Sequence, residues 1–188
     1  MNIPYEKSTA HKLRRNFEFE GYSLINYNNL SDTEVEMVRT WRNHEKIRKC
    51  GYADHEFSLS EHKDFINKLK SDDRNFYWVM KENDKYLGVL HIIRVDSGNR
   101  NGYLGLYLNP YNYTPGIGKL LVKYLIKLSF EIAKLHTLKL ETFEGNIPAI
   151  KLFNKMGFKE EGRLKEYVYK DGKWKDVIVM GMTNREIQ

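Results

Sequence analysis

Residues 113–118 read Tyr-Thr-Pro-Gly-Ile-Gly, a spacing suited to holding a phosphate. Gly116 and Gly118 remove side chains where a main chain must come close to a ligand. The residues after them are helix-like. The first N–H groups of a helix have no internal partner and carry the positive end of its dipole. Such a terminus receives phosphate readily, and the pyrophosphate of a cofactor is the ligand expected here. Lys119 adds a cation beside it. A plain turn before a helix uses the same letters, because short glycine motifs are not specific. Arg42, within Trp41-Arg42-Asn43-His44, has the planar guanidinium that suits bidentate phosphate binding. Glu141 shares a strand face with Lys139 and Phe143, opposite Leu138 and Leu140, and on residues alone reads as a surface carboxylate. His91 lies in an apolar strand, where a buried imidazole is the usual outcome, and Cys50 reads as an ordinary thiol.

The elements that must position these groups follow from periodicity. Residues 1–19 show no convincing period and are read as a loosely docked N-terminal arm, with the folded domain over 20–188. A strand is expected over 22–27. Ser31 or Asp32 then caps a helix whose apolar face is Val35, Val38 and Trp41. The same spacing makes Trp41 a candidate core residue. A short helical piece and loop cover 45–59. Another helix starts at Ser60, with Phe65, Ile66 and Leu69 inward. Strands follow over 76–80, 86–95 and 102–108, the last stopped by Asn109-Pro110. Leu121, Leu125, Leu128, Ile132 and Leu135 give the long helix one apolar face. A strand over 137–143 directly after it implies a parallel crossover. A short helix over 147–156 ends at Gly157, and a hairpin over 160–182 turns at Asp171-Gly172. The expected fold class is α/β: a mixed, mostly antiparallel seven-stranded sheet with one central parallel crossover and flanking helices.

Composition narrows the partners. The chain has 188 residues, 31 Lys and Arg against 25 Asp and Glu, and a formal net charge of +6. A basic surplus favours anionic partners such as phosphorylated small molecules and disfavours a strongly cationic one such as spermidine. No long Lys/Arg block and no zinc-finger spacing occur, so no nucleic-acid partner is expected. No apolar run is long enough for a membrane span, and the N-terminus lacks the apolar core of a signal peptide. A single cysteine excludes an intramolecular disulfide and a cysteine zinc cluster, and no metal is expected. The expected location is the cytoplasm. A homodimer is left open.

The order of elements, with this loop in this place, resembles the GCN5-related N-acetyltransferase (GNAT) superfamily over residues 22–182. The loop pattern of that family is Gln/Arg-x-x-Gly-x-Gly/Ala. Gly116 and Gly118 match it, while Tyr113 replaces the usual first residue. A second block, Asn146-Ile147-Pro148-Ala149-Ile150-Lys151-Leu152-Phe153-Asn154-Lys155-Met156-Gly157-Phe158, is similar to the family's Asn-x-x-Ala-x-x-Leu/Phe-Tyr-x-x-x-Gly-Phe. Within the superfamily, Trp41-Arg42-Asn43-His44, residues 102–107, Leu138-Lys139-Leu140-Glu141 and Glu161-Gly162-Arg163-Leu164-Lys165 resemble the acetyltransferases of pseudaminic acid biosynthesis. Those enzymes acetylate the 4-amino group of a UDP-linked 4-amino-4,6-dideoxy sugar.

The resemblance implies acetyl-CoA as co-substrate and direct attack by an amine in a ternary complex. It implies that main-chain groups of Leu106, Tyr107 and Leu108 hold the thioester arm and its carbonyl. The loop Tyr113, Gly116, Ile117, Gly118 and Lys119 would hold the pyrophosphate, with Asn146 and Phe153 along the cofactor arm. Glu141 would be the general base, with His44 and His91 as weaker alternatives. Trp41, Arg42, His44 and Tyr103 would recognise an amino-sugar nucleotide. Phe153 stands where relatives commonly carry a proton-donating tyrosine, so the general acid is missing; Tyr103, Tyr111 and Tyr113 are the nearby hydroxyls. The alternatives are a GNAT acting on a protein N-terminus or a polyamine, and a non-catalytic acyl-CoA sensor.

Overall fold

A computed structural model describes residues 5–187, and it forms one eight-stranded sheet with helices on both faces. The strands are β1 (Phe17–Phe19), β2 (Tyr22–Asn26), β3 (Phe76–Glu82), β4 (Lys85–Asp96), β5 (Asn101–Leu108), β6 (Thr137–Phe143), β7 (Lys159–Lys170) and β8 (Lys173–Thr183). Their spatial order is β1-β2-β3-β4-β5-β6-β8-β7. All neighbours are antiparallel except β5 and β6. The strand beyond the expected seven is β1. It belongs to a segment for which the sequence predicts only a loose arm. That segment forms α1 (Tyr5–Leu13) and β1, and it is tied down. Ala10, Leu13 and Phe17 are buried, and the Trp78 indole N–H donates to the Arg15 carbonyl at 3.0 Å. Burial of these few side chains, rather than a repeating pattern, holds the segment.

The helices are α2 (Asp32–Asn43), α3 (Glu45–Arg48), α4 (Leu59–Leu69), α5 (Ile117–Lys127) and α6 (Ile147–Lys155). Ser31 and Glu34 form a reciprocal capping box at the start of α2. Ser58 and Glu61 do the same for α4, so that helix begins before the expected Ser60. Gly157 ends α6 at φ 94°, and Asp171-Gly172 turn the β7–β8 hairpin with positive φ at both residues. The long helix is α-helical only to Lys127. Residues 128–132 widen into a π-helical turn, with Ala133 N–H donating to the Leu128 carbonyl at 2.8 Å.

Strand alternation divides the side chains between two cores. Trp78, Leu90, Leu104, Leu138, Leu140 and Met180 pack under α1, α5 and α6. Val79, Val89, Tyr77 and Tyr107 pack under α2 and α4 with Val38, Trp41 and Ile66. The crossover β5–α5–β6 is the seam of the sheet. β5 and β6 pair only at Asn101–Thr137, Gly102–Leu138 and Tyr103–Lys139. Beyond Tyr103 the two strands run in the same direction without ladder bonds to each other. The edge of β5 facing β6 is therefore open from Leu104 to Leu108.

Candidate active site

The donor side of the site is built at the end of β5 and the start of α5. Asn109 closes the strand: its N–H donates to the Leu87 carbonyl, and its side chain donates to the Tyr86 carbonyl at 3.0 Å. The loop after it is exposed, with Tyr113 at its outer surface. Gly116 caps α5 from the left-handed region, φ 88°, ψ −21°, and no side chain caps that end. Ile117 N–H makes a long bond to the Thr114 carbonyl at 3.4 Å. The N–H groups of Gly118 and Lys119 have no main-chain acceptor among the described residues. Two free donors and the helix dipole thus point out of an uncapped, exposed terminus. Pantetheine is an extended chain with amides, and the open edge of β5 leads from the seam toward this terminus. The residues fit acetyl-CoA: a free strand edge for the amides and a free helix end for the pyrophosphate.

A second group of polar side chains lies on the opposite face of the same strands, the candidate acceptor side. Tyr103, Gly105 and Tyr107 of β5 and Lys139, Glu141 and Phe143 of β6 share that face by alternation. Glu141 is two residues past the last β5–β6 pair, on the rim of the opening. Its carboxylate accepts from the Tyr52 hydroxyl at 2.8 Å and from Arg94 Nη1 at 2.7 Å. Arg94 reaches it across β5 because a bulge in β4 puts Arg94 at φ 54°. Its guanidinium then lies 4.8 Å from the centre of the Tyr103 ring. Tyr52 comes from the loop after α3, and its ring packs on Phe143 at 5.6 Å. Burial and the adjacent Glu141 carboxylate push the Tyr52 hydroxyl well above its ordinary value, so it remains a proton donor.

Deeper on this face, His91 lies over the backbone of β5. A Cβ on Gly105 would sit 2.2 Å from His91 Nε2, so only glycine leaves room for the ring. Tyr77 packs on the imidazole at 4.7 Å, and its Nδ1 has no partner. Burial, assisted by the charge of Arg42, lowers the His91 pKa to about 4. The ring is neutral at physiological pH. The hydroxyls of Tyr27 and Tyr107 meet at 3.4 Å, and burial raises Tyr107 to about 12. Arg42 stacks on Phe57 at 3.7 Å and faces Phe65 at 5.3 Å. It makes no hydrogen bond or ion pair with a described residue, and it lines a cleft of about 320 Å³ with Phe57, Glu61, Asp64, Phe65 and Lys68.

Comparison with known families identifies this arrangement. A family described as an acetyltransferase (GNAT) domain matches residues 29–179. The chain belongs to the GNAT family. This GNAT enzyme is 32% identical over 138 residues to acetyltransferase PseH of Campylobacter jejuni, covering 72% of this chain and 83% of that protein. Its fold superposes on a crystal structure of spermidine N-acetyltransferase from Vibrio cholerae in complex with CoA and spermine. The TM-score is 0.82 at 21% identity, covering 89% of this chain and 98% of that one. The crystal structure of Campylobacter jejuni N-acetyltransferase PseH gives a TM-score of 0.66 at 24% identity over 87% and 99% of the two chains. Family membership makes this protein an N-acetyltransferase using acetyl-CoA. No described group of residues could hold a metal ion.

The expected site residues of this GNAT enzyme fall into three groups. Glu141 and Tyr103 come together, with Arg94 joining them. Gly116, Gly118 and Lys119 stand at the helix end, while the side chains of Leu106, Leu108 and Ile117 pack inward, leaving only their main chains for a ligand. Several others carry structural duties. Trp41 is 3% exposed and belongs to the core under α2, so the packing reading of its spacing is the one realised. Phe153 is 6% exposed and packs edge-on against Phe158 at 5.6 Å, away from solvent. Asn146 caps α6 by accepting from Ala149 N–H at 3.4 Å. Gly118 gives room to Leu152 of α6, since a Cβ there would stand 3.2 Å from it. His44 caps α3 by accepting from Lys46 N–H at 3.2 Å, and its ring meets Tyr111 edge-on at 5.1 Å. It therefore borders the donor loop rather than the cleft of Arg42. Arg94 and Tyr52 are not marked out by the sequence. A lone Arg interrupting an apolar strand was the only trace of the first, and Tyr52 left none.

Proposed function

We propose that this enzyme transfers an acetyl group from acetyl-CoA to the 4-amino group of a UDP-linked amino-deoxy sugar, in nonulosonate biosynthesis of the pseudaminic acid type. Acetyl-CoA supplies the acetyl group as a thioester. The free main-chain edge at Leu106–Leu108 orients the thioester arm, and N–H groups there polarise its carbonyl. The uncapped end of α5 at Gly116–Lys119 fixes the pyrophosphate. Glu141 takes the proton of the attacking amine, directly or through one water, on a lone pair left free by Tyr52 and Arg94. Arg42, stacked but unpaired, faces the acceptor's diphosphate. The buried Phe153 cannot protonate the departing thiolate, which is a weak enough base to leave unassisted.

The observation that carries this reading is the fixed carboxylate of Glu141 at the mouth of the β5–β6 opening. The unpaired Arg42, the net charge of +6 and the PseH relatives favour an anionic acceptor over a polyamine. The test is thiol release from acetyl-CoA with three acceptors: the UDP-linked 4-amino-4,6-dideoxy sugar, spermidine and an N-terminal peptide. Release with the sugar nucleotide is expected. Release with spermidine alone transfers the assignment to polyamines, and thermal stabilisation by acetyl-CoA with no release in any arm favours a sensor. Glu141→Gln is expected to lower kcat by about 100-fold and to leave acetyl-CoA binding intact. Wild-type turnover in that variant removes Glu141 as the base.

A further inference from the structure

We propose that Tyr52 is a positioning residue for the Glu141 carboxylate, delivered by a loop that buried Lys170 anchors to the β7–β8 hairpin. The inference rests on the reading of Glu141 as the base. Arg94 holds one carboxylate oxygen of Glu141 and Tyr52 the other. A carboxylate gripped at one oxygen pivots about its last bond. Gripped at both, it presents its remaining lone pairs in one direction, which a proton acceptor needs. The Glu141 side chain is only 13% exposed, so few positions are open for solvent to hold the carboxylate in place of a fixed donor.

Tyr52 occupies no helix or strand, and something must hold it in place. Its ring packs on Phe143, and the next residue, Ala53, is fastened from below. Lys170 Nζ donates to the Ala53 carbonyl at 2.8 Å and pairs with Asp54 at 3.5 Å. Lys170 is 2% exposed at the tip of a strand that is otherwise mostly solvent-facing. A lysine is rarely buried so fully unless its charge is answered, and here it is answered by the acceptor-side loop. The hairpin tip and the carboxylate are thus linked through Lys170, Ala53, Tyr52 and Glu141. The other titratable groups facing this site are Arg94 from β4, Tyr103 from β5, Lys139 from β6 and Tyr167 from β7. Lys139 is occupied by Glu161 at 2.7 Å.

The test compares Tyr52→Phe, Lys170→Met, Glu141→Gln and the double variant Tyr52→Phe/Glu141→Gln, assayed with acetyl-CoA and the UDP-linked 4-amino sugar. Tyr52→Phe keeps the ring on Phe143 and removes one hydrogen bond to a charged group. It is expected to lower kcat about tenfold while the KM for acetyl-CoA stays within about twofold. A lowered kcat with an unchanged KM is the split that distinguishes a positioning role from lost binding. Lys170→Met keeps the buried stem and should also lower kcat while sparing the KM for acetyl-CoA. In the double variant the tyrosine change should add almost nothing to the loss from Glu141→Gln. Wild-type kcat in Tyr52→Phe overturns the inference. So do losses that multiply in the double variant. If Glu141→Gln alone turns over like wild type, the base assignment itself has failed. If Glu141→Gln is impaired and Tyr52→Phe is not, only the positioning role has failed. Should Lys170→Met lower the melting temperature sharply, Tyr52→Phe still decides the matter.

Discussion

At the scale of single residues, the acceptor face depends on one missing side chain. Gly105 has ordinary backbone angles, so nothing local demands glycine; the demand comes from His91 lying against it. Gly105→Ala is expected to cost about 1–3 kcal/mol in urea denaturation, as the imidazole or the strand moves aside. His91→Ala/Gly105→Ala should recover most of that loss, and a double variant as unstable as the single would show that the crowding lies elsewhere. The same scale explains what the sequence withheld. The glycine pair and Arg42 stand out because each sits in a short pattern with its own chemistry, whereas Glu141 reads locally as a surface carboxylate and is singled out only by the family resemblance. Tyr52 and Arg94 were not, because they lie 89 and 47 residues from the carboxylate they hold. No local spacing encodes a contact across that separation. Trp41 shows the opposite limit: its spacing with Val35 and Val38 was core spacing, and the family block around it invited a second meaning.

At the scale of elements, caps and turns were the most legible features. Ser31 with Glu34 and Asp171 with Gly172 announce themselves by residue type. The start of α4 slipped because two serines, Ser58 and Ser60, compete, and only Ser58 has Glu61 at the right offset. The α1–β1 segment escaped notice because its inward residues, Ala10, Leu13 and Phe17, straddle a change from helix to strand and keep no single period. The crossover was expected from element order, whereas the three-pair length of the β5–β6 ladder was not. Gly116 carries the prediction at this scale. A Cβ there meets nothing within 4 Å, so the cost of Gly116→Ala is purely that of the left-handed backbone. A loss of about 1–2 kcal/mol is expected in denaturant titration, together with weaker acetyl-CoA binding by calorimetry, as the helix end turns its donors away. An unchanged denaturation midpoint would mean that the cap relaxes without strain.

At the scale of the whole molecule, two desolvated imidazoles, the buried His62 and the partly buried His91, contribute to the response to acid. Burial holds His62 and His91 at about 4, with Arg42 contributing to both and Arg39 to His62; Glu36 opposes the shift at His62 alone. The unfolded chain takes up their protons near the ordinary histidine value of about 6.5, while the folded chain resists until about pH 4. Between those limits the unfolded state binds more protons, so stability must fall as pH falls. Each imidazole contributes a slope of up to about 1.4 kcal/mol per pH unit in that window. Urea midpoints measured from pH 7 to 5 should show the decline. His62→Phe, which keeps an aromatic ring among Tyr27 and Phe65, should flatten it by roughly half. A slope unaltered by that substitution would exclude His62 as a source.

The tie from Lys170 to Ala53 spans 117 residues and joins the final hairpin to a loop in the first third of the polypeptide. On the ribosome, the glycine loop and α5 are complete long before Lys170 emerges. The cradle for the donor can therefore mature early, while the wall facing the incoming amine must wait for the carboxy-terminal strands. The contact that seats the loop carrying Tyr52 can form only once that hairpin has been made. A nascent chain stalled short of β7 would lack the peg that seats its acceptor loop.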